Sequence, residues 1–443
     1  MIDYRNLSFW HDTVPDDLTP RDPLPGDLDA DVAIIGGGLT GLWTAYYLLE
    51  ADPTLSIIVL EKNIVGFGAS GRNGGWCSAL FPASTAALER RHGLNAALAM
   101  RRAMIATVDE VGRVTAAEGV DCDFAKGGTI SYARTAVQRA AAKAEIAEAA
   151  HYGVDAIEAR ADGGSFDPAC ARLHPAKLVR GLARVLEAKG VRIAEQTEVL
   201  EWATGSVTTM QGIVKARTIV VATEGYGATM RQSHRRVLPL YSLMIATEPL
   251  PDAVWDELGI AHGQTFADFR HLIVYGQRTA DNRFAFGGRG AGYHWGSRIR
   301  AEYDRSPAVF RHLQHELERL FPAAGPLTVT HRWGGPLGVP RDWHAGASFD
   351  PATGIATAGG YVGDGLSTTN LAGRTLADLI TGRQTALTAL PWVGHRSPQW
   401  EPEPLRFVGA NLGTLAMRVA DTEERITKRP SIAARIMGPL VGH

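Results

Sequence analysis

The chain has 443 residues, of which 45% are hydrophobic and 21% charged, and its formal net charge at pH 7 is −2. This length exceeds that of one ordinary core, so two domains and a tail are expected. The near-neutral charge gives no reason to expect nucleic-acid binding, and no apolar stretch is long enough for a membrane span. The polar N-terminus lacks the pattern of a secretory signal. The three cysteines form no CxxC motif and no even-numbered framework, which predicts a reducing, cytoplasmic location.

The first 30 residues predict an extended arm, with Phe9 and Trp10 packing it against the body. The first regular unit then consists of an apolar run at 32–35, the glycines Gly36, Gly38 and Gly41, a helical pattern at 39–50, a second apolar run at 57–60, and Glu61. One glycine permits a tight turn, one lets the backbone approach a pyrophosphate, and one lets the helix pack on the strand. The helix N-terminus faces the phosphates, and Glu61 can accept hydrogen bonds from a ribose diol. Together these features predict a dinucleotide-binding site.

Two further glycine-rich segments predict loops that approach the same ligand. Residues 65–76 combine glycines, small polar residues and one arginine, so they cannot form a core and must pass close to something. Residues 355–368 run from a short strand through a glycine-rich turn towards a helix predicted at 371–380. This second segment presents another helix N-terminus, which favours anion binding.

The remaining patterns alternate between helices and strands. Helices are predicted at 84–118, 134–150, 175–186, 305–320 and 405–425, and strands at 128–133, 192–194, 198–202, 219–223, 240–247, 272–278 and 283–288. We therefore predict an α/β protein in which a discontinuous Rossmann-like domain (1–83, 151–235, 341–385) is interrupted by an α+β substrate domain with a mixed or antiparallel sheet (84–150, 236–340). A helical C-terminal tail (386–443) follows. Because acids and bases are mixed along it, we expect this tail to pack on the body rather than on a membrane or a partner.

In combination these motifs resemble the FAD-dependent glycine/D-amino-acid oxidase (DAO-type) family, and within it the gamma-glutamylputrescine oxidase-like branch. The resemblance covers most of residues 30–385 and includes the His174-Pro175 helix start and the Ala222-Thr223 strand end. It implies that FAD is bound by Gly36, Gly37, Gly38, Leu39, Thr40, Gly41, Glu61, Lys62, Gly68, Ala69, Ser70, Arg72, Asn73, Gly74, Gly75, Val199, Thr223, Gly363, Asp364, Gly365, Leu366, Ser367 and Thr368. Glu224 stands where many relatives carry glycine.

The resemblance implies oxidation of the C–N bond of a small amine or amino acid by hydride transfer to flavin N5, giving an imine that water hydrolyses. The cofactor supplies the chemistry and the protein supplies orientation and electrostatics. A helix N-terminus at 365–368 is expected to stabilise negative charge on the reduced flavin. The 240–340 region contains no lysine, unlike some sarcosine-oxidase relatives, so oxygen and another electron acceptor both stay open. An NAD-linked dehydrogenase and an electron-transfer subunit without its own turnover are the alternatives.

The substrate pocket is predicted from a strand at 269–278. Alternate strand residues share a face, so His271 and Tyr275 are expected to point together over the flavin as the catalytic pair. Tyr241 and Trp333 are expected nearby as substrate-binding residues, although Tyr275 and Trp333 could equally be sheet packing. Apolar walls would hold an amine unprotonated, because burial disfavours the charged form.

Two further expectations concern the chemistry of the site. Cys77 lies two residues beyond the 72–75 loop, but a free cysteine is usually a small core residue, so we expect flavin to be bound non-covalently. The histidines outside the proposed pocket are scattered without ligand spacing, and no metal site is predicted.

Overall fold

A computed structural model describes residues 2–432. In that range the helices are α1 (Phe9–Thr13), α2 (Leu39–Ala51), α3 (Thr85–His92), α4 (Leu94–Ala117), α5 (Ala136–Tyr152), α6 (Pro175–Ala188), α7 (Asp252–Leu258), α8 (Pro307–Leu320), α9 (Gly365–Ile380) and α10 (Leu405–Thr427). The strands are β1 (Leu28–Ile35), β2 (Ile57–Leu60), β3 (Trp76–Ser78), β4 (Thr129–Tyr132), β5 (Glu158–Ala159), β6 (Ser165–Asp167), β7 (Cys170–Arg172), β8 (Arg192–Ala194), β9 (Val199–Ala203), β10 (Ser206–Thr209), β11 (Ile213–Val221), β12 (Leu238–Thr247), β13 (Thr265–Asp268), β14 (Val274–Arg278), β15 (Phe284–Ala291), β16 (Val329–Val339), β17 (Gly346–Asp350) and β18 (Ile355–Gly359).

The first sheet has the order β17-β18-β11-β1-β2-β8, with β10 paired to β11 and β9 paired to β10. Strand β1 runs parallel to both β2 and β11, and β11 runs parallel to β18. Successive strand residues point to opposite faces. Val32 and Ile34 therefore join a core with helices α2, α4, α6 and α9, while Ala33 and Ile35 join a second cluster on the other face. The apolar run at 32–35 is buried on both faces, as a parallel strand requires.

The second sheet has the order β16-β12-β15-β14-β13-β4-β6-β5 and is antiparallel except for the β13–β4 pair. Its core contains Phe266, Phe284 and Phe286, which pack with Leu313 and Leu317 of α8. Because β5 and β6 belong to this sheet, it extends past the domain boundary predicted at residue 150. The two sheets form the mixed α/β architecture that the sequence predicts.

Three element boundaries differ from prediction for local reasons. The helix predicted at 84–118 is divided into α3 and α4 at Gly93, whose φ of +84° a helix cannot contain. Helix α9 begins at Gly365 and not at residue 371. Strand β14 begins only at Val274, so residues 269–273 are outside the strand predicted there.

The chain termini pack on this body to different extents. Phe9 and Trp10 are almost completely buried in α1, so the arm is folded rather than extended at this point. At the other end, α10 buries one narrow face through Arg406, Gly413 and Ala420. No helix of the described part of the chain combines the length and apolar composition that a membrane span requires.

Candidate functional site

A cavity of about 670 Å³ lies where the carboxyl ends of β1, β2 and β11 meet strand β16 of the second sheet. Ligands of parallel α/β sheets bind in the crevice at the carboxyl ends of the strands. The volume is within the usual range for small-molecule and cofactor sites. Three glycine-rich segments and the first turns of two helices line its walls.

The first of these segments is the turn between β1 and α2. Gly36 has a φ of +111°, and a Cβ there would lie 2.6 Å from the carbonyl oxygen of Ala222. A Cβ at Gly41 would collide with the carbonyl of Gly36 and with Ile34, so this glycine lets helix and strand pack. Gly38 is the N-cap of α2 and has no side-chain cap. Gly38, Leu39 and Thr40 line the cavity, so the N-terminus of α2 faces it, which suits a phosphate.

Glu61 lies at the end of β2 beside this turn. Its Oε2 accepts a hydrogen bond from Gly37 N (2.9 Å) and its Oε1 accepts one from Asn63 N (2.8 Å). Removal from solvent raises the pKa of Glu61 to about 7. At the mouth of the cavity Lys62 forms an ion pair with Glu198 (2.6 Å). Glu61 borders the cavity, where the ribose of a dinucleotide would find an acceptor.

The second segment, residues 68–75, closes over the start of α2. Leu39 N donates to Ser70 Oγ (2.8 Å), so the loop is held against the helix N-terminus. The Asn73 side chain donates to Ala69 O (3.1 Å) and accepts from Gly75 N (2.8 Å), which fixes the loop backbone. This organisation explains why the segment is rich in small and polar residues.

Arg72 connects this loop to Asp304, which lies between β15 and α8. The side chain is buried, and its Nε donates to Phe67 O (2.7 Å) while Nη1 donates to Asp304 Oδ2 (2.7 Å). The other carboxylate oxygen of Asp304 is buried and, among the described residues, has no hydrogen-bond partner. Burial raises the pKa of Asp304 to about 6 although Arg72 opposes the shift. Asp304 is one of the cavity-lining residues, so an ionisable carboxylate borders the cavity.

The third segment, at 359–365, leads into α9. Gly363, Gly365 and Leu366 line the cavity, so the start of a second helix faces the ligand space. Thr40 Oγ1 and Tyr361 Oη lie 3.1 Å apart and join this segment to the start of α2. The positive ends of two helices thus meet one cavity.

Glu224, just after the end of β11, forms hydrogen bonds with two of the segments around the cavity. It has a φ of +42°, a backbone conformation that favours glycine. Its carboxylate accepts hydrogen bonds from Gly338 N (2.8 Å), Gly360 N (3.0 Å) and Tyr361 N (3.1 Å). Burial raises the pKa of Glu224 to about 6. The side chain connects β16 of the second sheet to the third glycine-rich segment.

Most of the residues predicted to bind FAD are brought together by the fold. Those that line the cavity are Gly36, Gly37, Gly38, Leu39, Thr40, Glu61, Lys62, Gly68, Ala69, Ser70, Arg72, Asn73, Val199, Thr223, Gly363, Gly365 and Leu366. Those that are not part of its lining are Gly41, Gly74, Gly75, Asp364, Ser367 and Thr368. Cavity residues that the sequence did not reveal include Tyr226, Asp304, Gly338, Tyr361 and Glu224, the last noted only as a departure from glycine.

The expectation that His271 and Tyr275 share a strand face is wrong. His271 precedes β14, its Nε2 lies 2.9 Å from Glu424 Oε1, and its backbone N–H donates to Asp421 Oδ1 (2.8 Å) on α10. Strand alternation cannot orient a residue that is outside the strand. His271 is therefore part of the contact with the C-terminal helix and does not line the cavity.

The three predicted aromatic residues do not line the cavity, and two of them, Tyr275 and Trp333, contact the 68–75 loop instead. A Cβ at Gly74 would collide with the Tyr275 ring, whose hydroxyl lies 3.1 Å from Ser242 Oγ. Trp333 is buried, and its Nε1 donates to the carbonyl oxygen of Arg72 (2.8 Å). Tyr241 is also buried, in edge-to-face contact with Tyr303.

Comparison with known proteins identifies the family. The family model described as FAD dependent oxidoreductase (DAO) matches residues 31–379. Gamma-glutamylputrescine oxidoreductase of Escherichia coli (strain K12) is 28% identical over 410 residues, which are 88% of this chain and 92% of that protein. The probable oxidoreductase OrdL of Haemophilus influenzae is 30% identical over 394 residues, covering 83% and 86%. The crystal structure of glycine oxidase from Geobacillus kaustophilus matches with a TM-score of 0.68 and 19% identity, covering 83% of this chain and 99% of that one. The chain belongs to the DAO family of FAD-dependent oxidoreductases.

Proposed function

We propose that this protein oxidises the carbon–nitrogen bond of a small amine or amino acid, with FAD bound non-covalently in the cavity. The observation that carries the proposal is a single cavity in which three glycine-rich segments meet strand β16 and the carboxylate of Asp304. The relatives support the substrate class, since one is named for gamma-glutamylputrescine and another for glycine.

The cavity fits a flavin dinucleotide on structural grounds. A side chain at Gly38 would lie 3.0 Å from Ser70 Oγ and one at Gly37 would lie 3.1 Å from Glu61, so glycine keeps this cavity-lining turn tight. The N-terminus of α2 would hold the pyrophosphate and Glu61 the ribose. The N-terminus of α9 would stabilise negative charge on the reduced ring. A bound flavin supplies the electron acceptor for the oxidation.

The second sheet's domain would position the substrate. We assign the Asp304 carboxylate as the acceptor for the substrate's amine N–H, since Asp304 lines the cavity and its Oδ1 has no hydrogen-bond partner among the described residues. Arg72 would hold that carboxylate in place from the opposite oxygen. Tyr275, Tyr241 and Trp333 lie outside the cavity lining and would exclude water from behind it. An apolar enclosure of this kind favours the neutral amine that the reaction requires.

Non-covalent attachment is supported by the position of Cys77. This thiol is buried and does not line the cavity, and burial raises its pKa well above the usual range. A thioether bond to flavin needs a reachable thiolate. Acid precipitation should release the yellow colour into the supernatant, and a yellow pellet would contradict this part of the proposal. The three free buried thiols also support the proposed location in a reducing cytoplasm.

The decisive experiment is anaerobic reduction of the bound flavin by a panel of amines, amino acids and aminophosphonates. We expect at least one to bleach the flavin, and D304N to bleach at least about tenfold more slowly with unchanged flavin content, since one charge-assisted hydrogen bond is lost. Asp281 forms an ion pair with Arg283 and does not line the cavity, so D281N is the matched control. A flavin that no member of the panel reduces would refute the proposed function. Subsequent reoxidation by air or by a quinone would identify the electron acceptor.

A further inference from the structure

Helix α10 carries a line of apolar side chains that face away from the body. The side chains of this line, which we call the α10 stripe, are between 49% and 72% exposed: Leu405, Val408, Leu412, Leu415, Val419 and Ile426. They recur at intervals of three and four residues, with Thr422 at the one remaining position. Contiguous exposed apolar surface of this kind marks an interaction site.

The opposite face of α10 is fixed to the body. Arg406, Gly413 and Ala420 are buried at intervals of seven residues. Asp421 accepts hydrogen bonds from the backbone N–H groups of His271 (2.8 Å) and Leu272 (3.0 Å). These contacts fix the rotation of the helix about its own axis, so the α10 stripe cannot turn inward.

The spacing of the α10 stripe is that of a helix–helix seam. Leu405, Leu412, Val419 and Ile426 take position a of successive heptads, and Val408 and Leu415 take position d. Apolar residues at positions a and d are the pattern of a coiled coil. A helix that lies on a membrane needs a wider apolar face and no such repeat. Gly409 and Ala416, beside the stripe at position e, are small enough to let a second helix approach.

We propose that the α10 stripe is the contact between two copies of this chain, formed by a parallel pair of α10 helices. If the six side chains, each about half exposed, are fully covered, they contribute roughly 550 Å² per copy and about 1,100 Å² in total, just above the roughly 1,000 Å² that a biological interface needs. Charge determines the direction. In a parallel pair, Arg418 at position g faces Glu423 of the partner subunit at position e, five residues later. Within its own chain the Glu423 carboxylate also accepts hydrogen bonds from Ser431 Oγ and Ile432 N, so Arg418 would approach a carboxylate that is already held in position. The two-fold axis repeats this opposite-charge contact on both sides.

The first test is the mass of the flavin-loaded full chain by sedimentation velocity or light scattering. We expect a dimer at micromolar concentration, and L412D/L415D should be monomeric with unchanged flavin content, because both side chains are exposed and do not support the fold. M210D is the matched control, since Met210 is 71% exposed in the turn between β10 and β11. This variant should remain dimeric. A monomeric wild type, or a variant that stays dimeric, would overturn the proposal.

A second test separates the parallel pair from other arrangements. All three native cysteines are buried, so L412C introduces one accessible thiol at position a, next to its counterpart in a parallel copy. We expect mild oxidation to cross-link L412C almost completely and M210C hardly at all. An uncross-linked L412C would refute the parallel pair. If the wild type is monomeric and floats with phosphatidylglycerol vesicles, the α10 stripe binds a membrane and the proposal is wrong.

Discussion

The replacement of Gly38 by alanine separates ligand binding from folding. Gly38 has a φ of −91°, which any residue can adopt, and it lines the cavity. A Cβ there meets only Ser70, with Oγ at 3.0 Å and Cβ at 3.9 Å. A small shift of the Ser70 hydroxyl relieves this contact. Since alanine is a poorer N-cap than glycine, we expect G38A to lower the unfolding free energy of the flavin-free protein by at most about 1 kcal/mol.

The effect of G38A on FAD should be much larger. If the pyrophosphate lies against this turn as proposed, the added methyl group should hold it away from the N-terminus of α2, and about two charge-assisted hydrogen bonds of roughly 1.5–3 kcal/mol each should be lost or lengthened. The sum, about 3–6 kcal/mol, corresponds to a Kd weaker on the order of 10²- to 10⁴-fold. Titration of the flavin-free protein with FAD, followed by quenching of flavin fluorescence, measures this Kd.

The variant G41A is the informative comparison. Its Cβ collides with the carbonyl of Gly36 and with Ile34, and overpacking of this kind costs about 1–3 kcal/mol or more. It should therefore lower the melting temperature of the flavin-free protein, which G38A should leave almost unchanged. Wild-type affinity for FAD in G38A would refute the assignment of the pyrophosphate to this turn.

Three further predictions test the supporting structure. G373A places a Cβ 2.6 Å from the backbone of Trp43 and should lower the unfolding free energy, measured by thermal melts, by about 1–3 kcal/mol. G359A, whose Cβ meets nothing within 4 Å, should leave it unchanged. Equal melting temperatures of the two variants would contradict this packing. Burial lowers the pKa of His174 to about 3, so below pH 6.5 only the unfolded chain takes up this proton and acid destabilises the fold. The variant H174N keeps the N-cap of α6, and its unfolding free energy should fall by about 2 kcal/mol less than that of the wild type between pH 7 and pH 5. Parallel pH profiles of the two unfolding free energies would count against this prediction. E224A leaves three backbone N–H groups without their acceptor and should lower the unfolding free energy by about 2–4 kcal/mol. E224G should lower it less, because glycine adopts the positive φ without strain. The reverse order of the two unfolding free energies in urea would show that the strain is unimportant.

The sequence determined the cofactor site where the pattern is local. The turn from β1 into α2 and the acid at the end of β2 lie within about thirty residues, and their spacing follows directly from strand and helix geometry. The 68–75 loop and the turn before α9 were also predictable, because a glycine-rich stretch cannot form a core and must be a loop. The order of helices and strands along the chain also predicted two sheets, with one domain interrupted by the other.

The tertiary structure alone decided which distant groups meet. Arg72 and Asp304 are separated by 232 positions, and no periodicity links them, so the unpartnered carboxylate oxygen was not visible in the sequence. The pattern placed His271 on a strand, but α10 provides carboxylates that hold it elsewhere.

The same is true of α10 itself. In the sequence its acids and bases are mixed, which favoured packing on the body over any partner. In the fold Asp421 and Glu424 turn towards the body, and the apolar line is left outside. A helical pattern specifies which residues share a face, but only the surface against which the helix packs decides which face is covered.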